Sequence, residues 1–250
     1  MTDVNETYGK LQSTDGPHRD ADPEELRRYS GAWQDESIPQ QQGRIVDIQL
    51  GNLRNGIVDP VFSALIQSLE KIPEGELSIL DAACASGYYS EVIQRAKPEA
   101  TYTGSDYSAA MIAEARRRYP DRTFLVENAC QMSLADRGFD CVMLSGAIEH
   151  IPEYAKAISE ICRVARRYVV LHRVPMILAK KARLTLSTQY QVETPRIFLP
   201  HGEIVARMAE NGFMLRDERP VYKSGLRHEI VRRVRRQRPD IRTLLFERDG

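Results

Sequence analysis

The chain has 250 residues, and its 35 lysine and arginine residues are balanced by 35 aspartate and glutamate residues. This balance excludes an overall electrostatic attraction to nucleic acid or to an anionic membrane. Hydrophobic residues make up 42% and charged residues 28%, as in soluble globular proteins. The length suits one α/β domain with appendages.

Residues 1–56 predict a polar leader followed by a lid. Residues 1–30 are polar and show no hydrophobic periodicity. Residues 31–55 contain Trp33, the single tryptophan, and we expect them to fold back onto the domain. Asp59 then caps a helix that Pro60 opens.

From residue 77 onwards, strand and helix patterns alternate. Strands are predicted over LSILDAA, TYTGSD, RTFLVEN, FDCVMLSG and RYVVLHRV, and the helices between them over SEVIQRAK, SAAMIAEARRRY and PEYAKAISEICRVA. The alternation predicts an α/β fold with a doubly wound, mostly parallel sheet and helices on both faces.

The pattern changes after Pro175. Residues 176–200 are predicted to be an irregular insertion that caps the substrate site, followed by the helix GEIVARMAEN and a sixth strand, FMLRDERPV. RHEIVRRV alternates apolar and basic residues, which predicts a seventh, antiparallel last strand. The domain is therefore predicted over residues 57–236, with residues 237–250 as a tail.

Four cysteines, Cys84, Cys130, Cys141 and Cys162, lie singly and without metal-ligand spacing. We expect free thiols in a reducing compartment and no bound metal. The first residues lack the apolar region of a secretory signal, and no run is long enough to span a membrane. These features predict a cytoplasmic protein without a membrane span.

The loop after the first strand predicts a ligand site. Ligands of open α/β sheets bind beyond the carboxyl ends of the strands. Small side chains follow Asp81, and Asp106 ends the next strand, where a carboxylate can accept hydrogen bonds from ribose hydroxyls. The bulky Tyr88 and the charge of Asp81 disfavour a dinucleotide and favour a cationic sulfonium ligand, which argues against a nicotinamide dehydrogenase.

Three segments carry a family resemblance. LSILDAACASGYYS resembles the first motif of class I S-adenosylmethionine-dependent methyltransferases, and YTGSDYSAAMIAEARRR resembles their second strand and helix. FLVENACQMSLADRGFDCVMLSGAIEHI is similar to the third and fourth strands of the small-molecule branch. The resemblance implies a Rossmann-like, seven-stranded fold and S-adenosyl-L-methionine as cofactor. The implied reaction is methyl transfer to a small-molecule or glycan acceptor by in-line displacement.

The resemblance also implies which residues bind the cofactor. They lie at the strand ends: Asp81, Ala83, Cys84, Ala85, Ser86, Gly87, Asp106, Tyr107, Met111, Asn128, Ala129, Ser145 and Gly146. The first six would hold the methionine portion, Asp106 the ribose, the next four the adenine, and the last two would border the methyl group.

The sequence departs from the family pattern at three of these positions. Ala83 and Ala85 stand where the family has glycines, and alanine disfavours a left-handed backbone. Asn128 replaces an aspartate, although its amide oxygen can still accept a hydrogen bond from the adenine amino group. A loop closed by the alanines would make the protein a non-catalytic binding scaffold, which is one alternative.

The candidate catalytic residues are two histidines, because a hydroxyl or protonated amine acceptor needs a base. His150 follows the fourth strand and His172 ends the fifth. A structural role at a helix start is the competing interpretation for His150. Glu149 is a weaker base candidate, and His201 is predicted to cap a helix.

The candidate substrate residues lie in the two segments that could cover the site. Trp33 and Tyr190 could face an acceptor ring, and Arg196 could hold an acidic group. Packing of the lid is the competing interpretation for the aromatic residues.

An RNA methyltransferase is the other alternative, because arginines cluster near the end of the chain: Arg227, Arg232, Arg233, Arg235, Arg236 and Arg238. No RNA-binding module accompanies them, and aromatic residues are not interleaved with the charges. We therefore predict a small-molecule or glycan partner and no nucleic acid.

Overall fold

A computed structural model describes residues 18–222 and 239–249. The strands are β1 (Arg19–Asp20), β2 (Ser78–Ala82), β3 (Thr101–Asp106), β4 (Thr123–Val126), β5 (Phe139–Ser145), β6 (Ala165–Ile177), β7 (Arg183–Gln189), β8 (Val192–Pro200), β9 (Phe213–Pro220) and β10 (Asp240–Arg248). The helices are α1 (Pro23–Arg28), α2 (Ile38–Arg54), α3 (Pro60–Leu69), α4 (Tyr89–Ala96), α5 (Ala109–Arg118), α6 (Tyr154–Val164) and α7 (His201–Glu210).

Seven of the strands form the predicted mostly parallel sheet, in the order β4-β3-β2-β5-β6-β10-β9. The first five run parallel to one another, whereas β10 is antiparallel to both β6 and β9. The prediction of a doubly wound sheet with an antiparallel last strand is confirmed.

The position of the last strand differs from the prediction. The segment RHEIVRRV lies outside the described residues, and so do the clustered arginines. Residues 240–248, predicted to belong to a tail, form the strand that pairs with both β6 and β9. Its apolar residues Leu244, Leu245 and Phe246 are buried, which explains why this segment occupies an interior position in the sheet.

The prediction of an irregular insertion over residues 176–200 is wrong, because most of this segment forms regular strands. Residues 183–200 form an antiparallel hairpin of β7 and β8, which places Thr185 opposite Arg196. β8 continues the sheet because it pairs in parallel with the extended end of β6, where Met176 lies opposite Leu199. β1 adds a short antiparallel edge to β7, so the described part of the sheet contains ten strands.

Hydrophobic residues cover both faces of the sheet, as the alternation predicts. Along β5, Cys141 and Met143 face the cluster that contains residues of α2, α3 and α4. Val142 and Leu144 face the opposite cluster, with residues of α6 and α7. Successive side chains of β5 thus alternate between two hydrophobic clusters, so the strand is buried on both faces and its register is fixed.

The predicted cap at Asp59 is confirmed, whereas the predicted cap at His201 is wrong, because Pro200 precedes the helix and no side chain caps it. Asp59 accepts a hydrogen bond from the backbone N–H of Phe62 (2.9 Å), and Pro60 is the first residue of α3. Ser108 accepts one from Met111 (3.4 Å) at the start of α5. In the described part of the chain, no helix combines the length and the apolar character needed to cross a membrane.

Candidate active site

A cavity of about 760 Å³ lies at the carboxyl ends of β2, β3, β5 and β6. It is covered by residues 30–34, by α2 and by the turn between β7 and β8, which together we call the roof. The two predicted covering segments thus contribute to one enclosure, with Trp33 from the first and Tyr190 from the second.

The loop after β2 has a left-handed backbone at three alternate positions. The φ angles are 56° at Ala83, 49° at Ala85 and 75° at Gly87. Alanine adopts this conformation only at a cost of about 1–2 kcal/mol, because its Cβ crowds the following carbonyl. The backbone N–H of Cys84 donates to the carbonyl of Ser105 (2.8 Å) and holds the loop against β3. The loop therefore keeps the glycine-type conformation although two glycines are absent.

Ala85→Gly is expected to raise the free energy of unfolding by about 0.5 kcal/mol. Relief of the left-handed strain outweighs the larger conformational entropy that glycine gives the unfolded chain. Chemical denaturation measures the change. Ala113→Gly on the exposed face of α5 is the matched control and should lose about 1 kcal/mol. Equal losses in both variants would contradict the strain at residue 85.

Asp106 connects the loop to the cavity. One carboxylate oxygen accepts a hydrogen bond from the N–H of Ala85 and the other from the N–H of Ser108, each at 2.9 Å. The residue lines the cavity and is only 6% exposed. Burial raises the pKa of Asp106 to about 6, and its backbone hydrogen bonds oppose this shift. The carboxylate is thus fixed in place by the backbone before any ligand binds.

Asp81 does not line the cavity, which differs from the expectation that its charge faces the ligand. It is fully buried beneath the loop and accepts a hydrogen bond from the Tyr102 hydroxyl (3.1 Å). Burial raises the pKa of Asp81 to about 8, so the ligand-free protein holds it mainly neutral at pH 7. Ser86 and Gly87 also lie behind the cavity surface, and the Ser86 hydroxyl donates to the Gln42 amide oxygen (3.2 Å).

The predicted adenine side contributes four residues to the cavity: Tyr107, Met111, Asn128 and Ala129. The Tyr107 hydroxyl accepts from the backbone N–H of Trp33 (3.2 Å) and donates to the Ser30 carbonyl (3.1 Å). The amide oxygen of Asn128 accepts from the N–H of Cys130 (2.9 Å), which orients the side chain. Tyr107, which follows β3, therefore connects the end of this strand to the roof through hydrogen bonds.

The end of β5 supplies Ser145 and Gly146, and both line the cavity. Within the described residues, the buried Oγ of Ser145 and the buried Nε1 of Trp33 have no hydrogen-bond partner. A buried polar atom without a partner is costly, so a ligand with polar groups of its own fits this cavity.

His150 lines the cavity and is 9% exposed. Its Nδ1 lies 2.6 Å from the Pro195 carbonyl, so this nitrogen carries the proton and Nε2 keeps a lone pair. Its ring lies 4.7 Å from the Trp33 ring, centroid to centroid. Burial, and then the charges of Arg196 and Arg173, lower the pKa of His150 to about 3. The imidazole is therefore neutral at physiological pH.

His172 does not line the cavity, and a bulge in β6 explains why. Leu171 pairs with Leu244 and Val174 with Arg242, so two residues of β6 face the single residue Thr243. His172 turns inward, is fully buried and has its Nδ1 2.7 Å from the Thr243 hydroxyl. The structure thus contradicts its placement as a base on the ligand side.

Arg173 takes the place expected for His172. It has a φ of 61° and lines the cavity. A non-glycine residue with positive φ has no signature in the sequence, so the pattern of β6 alone could not identify Arg173.

The remaining candidates divide between the cavity and the surface. Arg196 donates to Glu149 at 3.1 Å, and both line the cavity. The Tyr190 ring packs edge-on against Trp33, with 5.9 Å between centroids. His201 begins α7 and pairs with Glu218 (3.0 Å), away from the cavity lining.

Comparison with known proteins agrees with this geometry. Residues 80–171 match the family described as a methyltransferase domain. The chain is 32% identical over 115 residues to demethylmenaquinone methyltransferase of Thermus thermophilus, covering 43% of this chain and 51% of that protein. It is 28% identical over 91 residues to trans-aconitate 2-methyltransferase of Variovorax paradoxus, covering 36% and 35%. The chain thus spans about half, or less, of the length of these curated relatives.

A solved structure extends the likeness to the whole fold. The S-adenosylmethionine-dependent methyltransferase from Clostridium acetobutylicum superposes with a TM-score of 0.59 at 12% identity, covering 84% of this chain and 99% of that one. The likeness shows that the fold is a Rossmann-like α/β fold of the kind found in S-adenosylmethionine-dependent methyltransferases. Residues 80–171, which match a methyltransferase domain, include strands β3 to β5 of this fold.

Proposed function

We propose that this protein transfers a methyl group from S-adenosyl-L-methionine to a small-molecule acceptor held in the cavity. One observation carries the proposal: the Asp106 carboxylate, fixed by the loop after β2, faces the same cavity as Ser145 and Gly146. Acceptors of the relatives, a quinone precursor and an organic acid by their names, are small molecules as well. A glycan acceptor is a wider form of the same proposal.

Different residues would bind the ribose, the adenine and the methionine portion of the cofactor. Asp106 would accept hydrogen bonds from the ribose hydroxyls, while Tyr107 and Met111 would contact the adenine. The backbone of Ala83 to Ala85 and the end of β5 would hold the methionine portion. When bound, the cofactor supplies an electrophilic methyl group on a sulfonium.

The acceptor side contributes alignment and exclusion of water. Trp33 and Tyr190 cover the cavity, and alignment of the reacting atoms can supply much of the rate of a displacement. The neutral His150 would accept a hydrogen bond from the acceptor at Nε2 and so orient its nucleophilic atom. Because burial, and then the nearby arginines, oppose an imidazolium, this orienting role is better supported than full removal of a proton.

Binding of S-adenosylhomocysteine tests the proposal directly. Trp33, the single tryptophan, lines the cavity, so its fluorescence should change on titration, with calorimetry as the second measurement. Methyl transfer from labelled cofactor to a panel of acids, phenols, amines and sugars then identifies the acceptor. A wild-type protein that binds no S-adenosylhomocysteine would leave only the scaffold alternative.

His150→Ala is expected to reduce turnover by about 10- to 100-fold, because the acceptor loses an orienting contact. Affinity for S-adenosylhomocysteine should stay near that of the wild type. His201→Ala is the matched control, since His201 pairs with Glu218 away from the cavity lining, and its turnover should be unchanged. Equal turnover in wild type and His150→Ala would remove His150 from the reaction.

A further inference from the structure

The bulge in β6 places the Arg173 side chain beside the end of β5. The guanidinium carbon lies 3.3 Å from the position that a Cβ on Gly146 would occupy. The phenols of Tyr88 and Tyr89 act most strongly on its charge, which in turn acts on the buried carboxyl of Asp59. Arg173, Gly146, Tyr88 and Tyr89 all line the cavity. Arg173 is thus a cation in the wall of the cavity, next to the strand end expected to border the reacting groups.

The charge of Arg173 lacks an ion-pair partner in residues 18–222 and 239–249, where no carboxylate oxygen lies within ion-pairing distance of its guanidinium group. Glu149 acts on it only through the longer-range field, because Glu149 is paired with Arg196. Arginine cannot lose its proton in a protein, so burial does not neutralise it.

A half-buried cation without an ion pair to the described residues, combined with a left-handed backbone, is an expensive arrangement. Such costs are tolerated where a ligand compensates for them. The planar guanidinium offers parallel N–H donors whose geometry matches the two oxygens of a carboxylate.

We propose that Arg173 binds a carboxylate of a ligand in the cavity. The inference rests on the proposed function, because that function supplies two carboxylates: the one on the methionine portion of the cofactor and one on an acidic acceptor. In the second case the bound carboxylate is not the attacking group. Methyl transfer consumes negative charge on the nucleophile, so a cation bound to that atom would stabilise the ground state more than the transition state.

Arg173→Met tests the inference with three probes. S-adenosylhomocysteine carries the methionine carboxylate, and 5′-methylthioadenosine lacks it. Trans-aconitate, added to protein saturated with S-adenosylhomocysteine, serves as an acidic acceptor probe. Trp33 fluorescence and calorimetry report binding of each probe.

Affinity for 5′-methylthioadenosine should be unchanged in the variant. A loss of about 10- to 100-fold for S-adenosylhomocysteine would identify the cofactor carboxylate as the ligand group. The same loss confined to trans-aconitate would identify an acidic acceptor. Arg27→Met, at an exposed arginine of the cavity rim, is the control and should change none of the three affinities.

The melting temperature of the ligand-free variant separates binding from a structural role. Removing an unpaired charge should leave it equal or higher, and a marked decrease would overturn the inference. Arg173→Lys keeps the charge without the two-pronged geometry, so it should lose affinity for the same probe to a smaller extent. Unchanged affinity for all three probes in both variants would also overturn the inference. A wild-type protein that fails to bind S-adenosylhomocysteine would instead refute the proposed function.

Discussion

Asp106→Ala should weaken binding of S-adenosylhomocysteine by at least about 100-fold, because in the proposed cofactor site the ribose hydroxyls would lose a charged acceptor worth about 1.5–3 kcal/mol per hydrogen bond. The backbone N–H groups of Ala85 and Ser108 lose their partner as well, which loosens the loop. Calorimetric titration measures the change. Asp121→Ala, at an exposed aspartate of the turn before β4, is the control and should bind as the wild type does.

The pH dependence of binding follows from the same carboxylate. The pKa of Asp106 rises from its usual 3.8 to about 6, so the ligand-free protein takes up a proton there as the pH falls below 6. Affinity for S-adenosylhomocysteine should therefore decrease from pH 7 to pH 5. The stability contribution has the opposite sign: the folded state holds this proton more tightly, so stability is lost as the pH rises through 6. An affinity for S-adenosylhomocysteine that does not change between pH 7 and pH 5 would contradict binding of the ribose by Asp106.

Gly87→Ala is expected to lower the free energy of unfolding by about 2–4 kcal/mol. A Cβ on Gly87 would lie 2.6 and 2.7 Å from two carbons of the Phe124 ring, and its φ of 75° disfavours any side chain. The Phe124 ring is buried, so it has little room to move away. Chemical denaturation measures the loss.

Gly51→Ala provides the control for this substitution. Gly51 lies in α2, and a Cβ there would meet no atom within 4 Å. An alanine in a helix should therefore raise stability by about 0.5–1 kcal/mol. Comparable effects of the two substitutions would show that the Phe124 contact at Gly87 is unimportant.

Local chemistry accounts for what the sequence could predict. The caps Asp59 and Ser108 depend on residues three positions apart, and the strands of the sheet appear as short apolar runs. The motif after β2 is visible in the sequence, but Ala83 and Ala85 argued against the left-handed backbone that the loop adopts. Asp106 at the end of its strand follows from the same motif.

Features that depend on distant pairing could not be predicted in this way. The bulge that exchanges His172 for Arg173 arises from the register between β6 and β10, which are far apart in the sequence. The burial of Asp81 depends on the Tyr102 hydroxyl across the sheet. Residues 240–248 were predicted to be a tail. Their apolar run is explained by pairing with β6 on one side and β9 on the other, which the sequence does not reveal.

The roof has a consequence for exchange between bound and free ligand. Within the roof, α2 packs into the core through Val46, Leu50 and Leu53. Residues 30–34 and the turn between β7 and β8 make polar contacts, such as Tyr107 to Ser30 and Gln41 to the Tyr190 carbonyl (3.2 Å). The packed sheet lies beneath and does not depend on them. Opening of residues 30–34 and of the turn between β7 and β8 is therefore a local fluctuation with a much smaller free energy than global unfolding. In the proposed reaction, such local opening lets the product leave while the sheet and its helices, α2 included, stay intact.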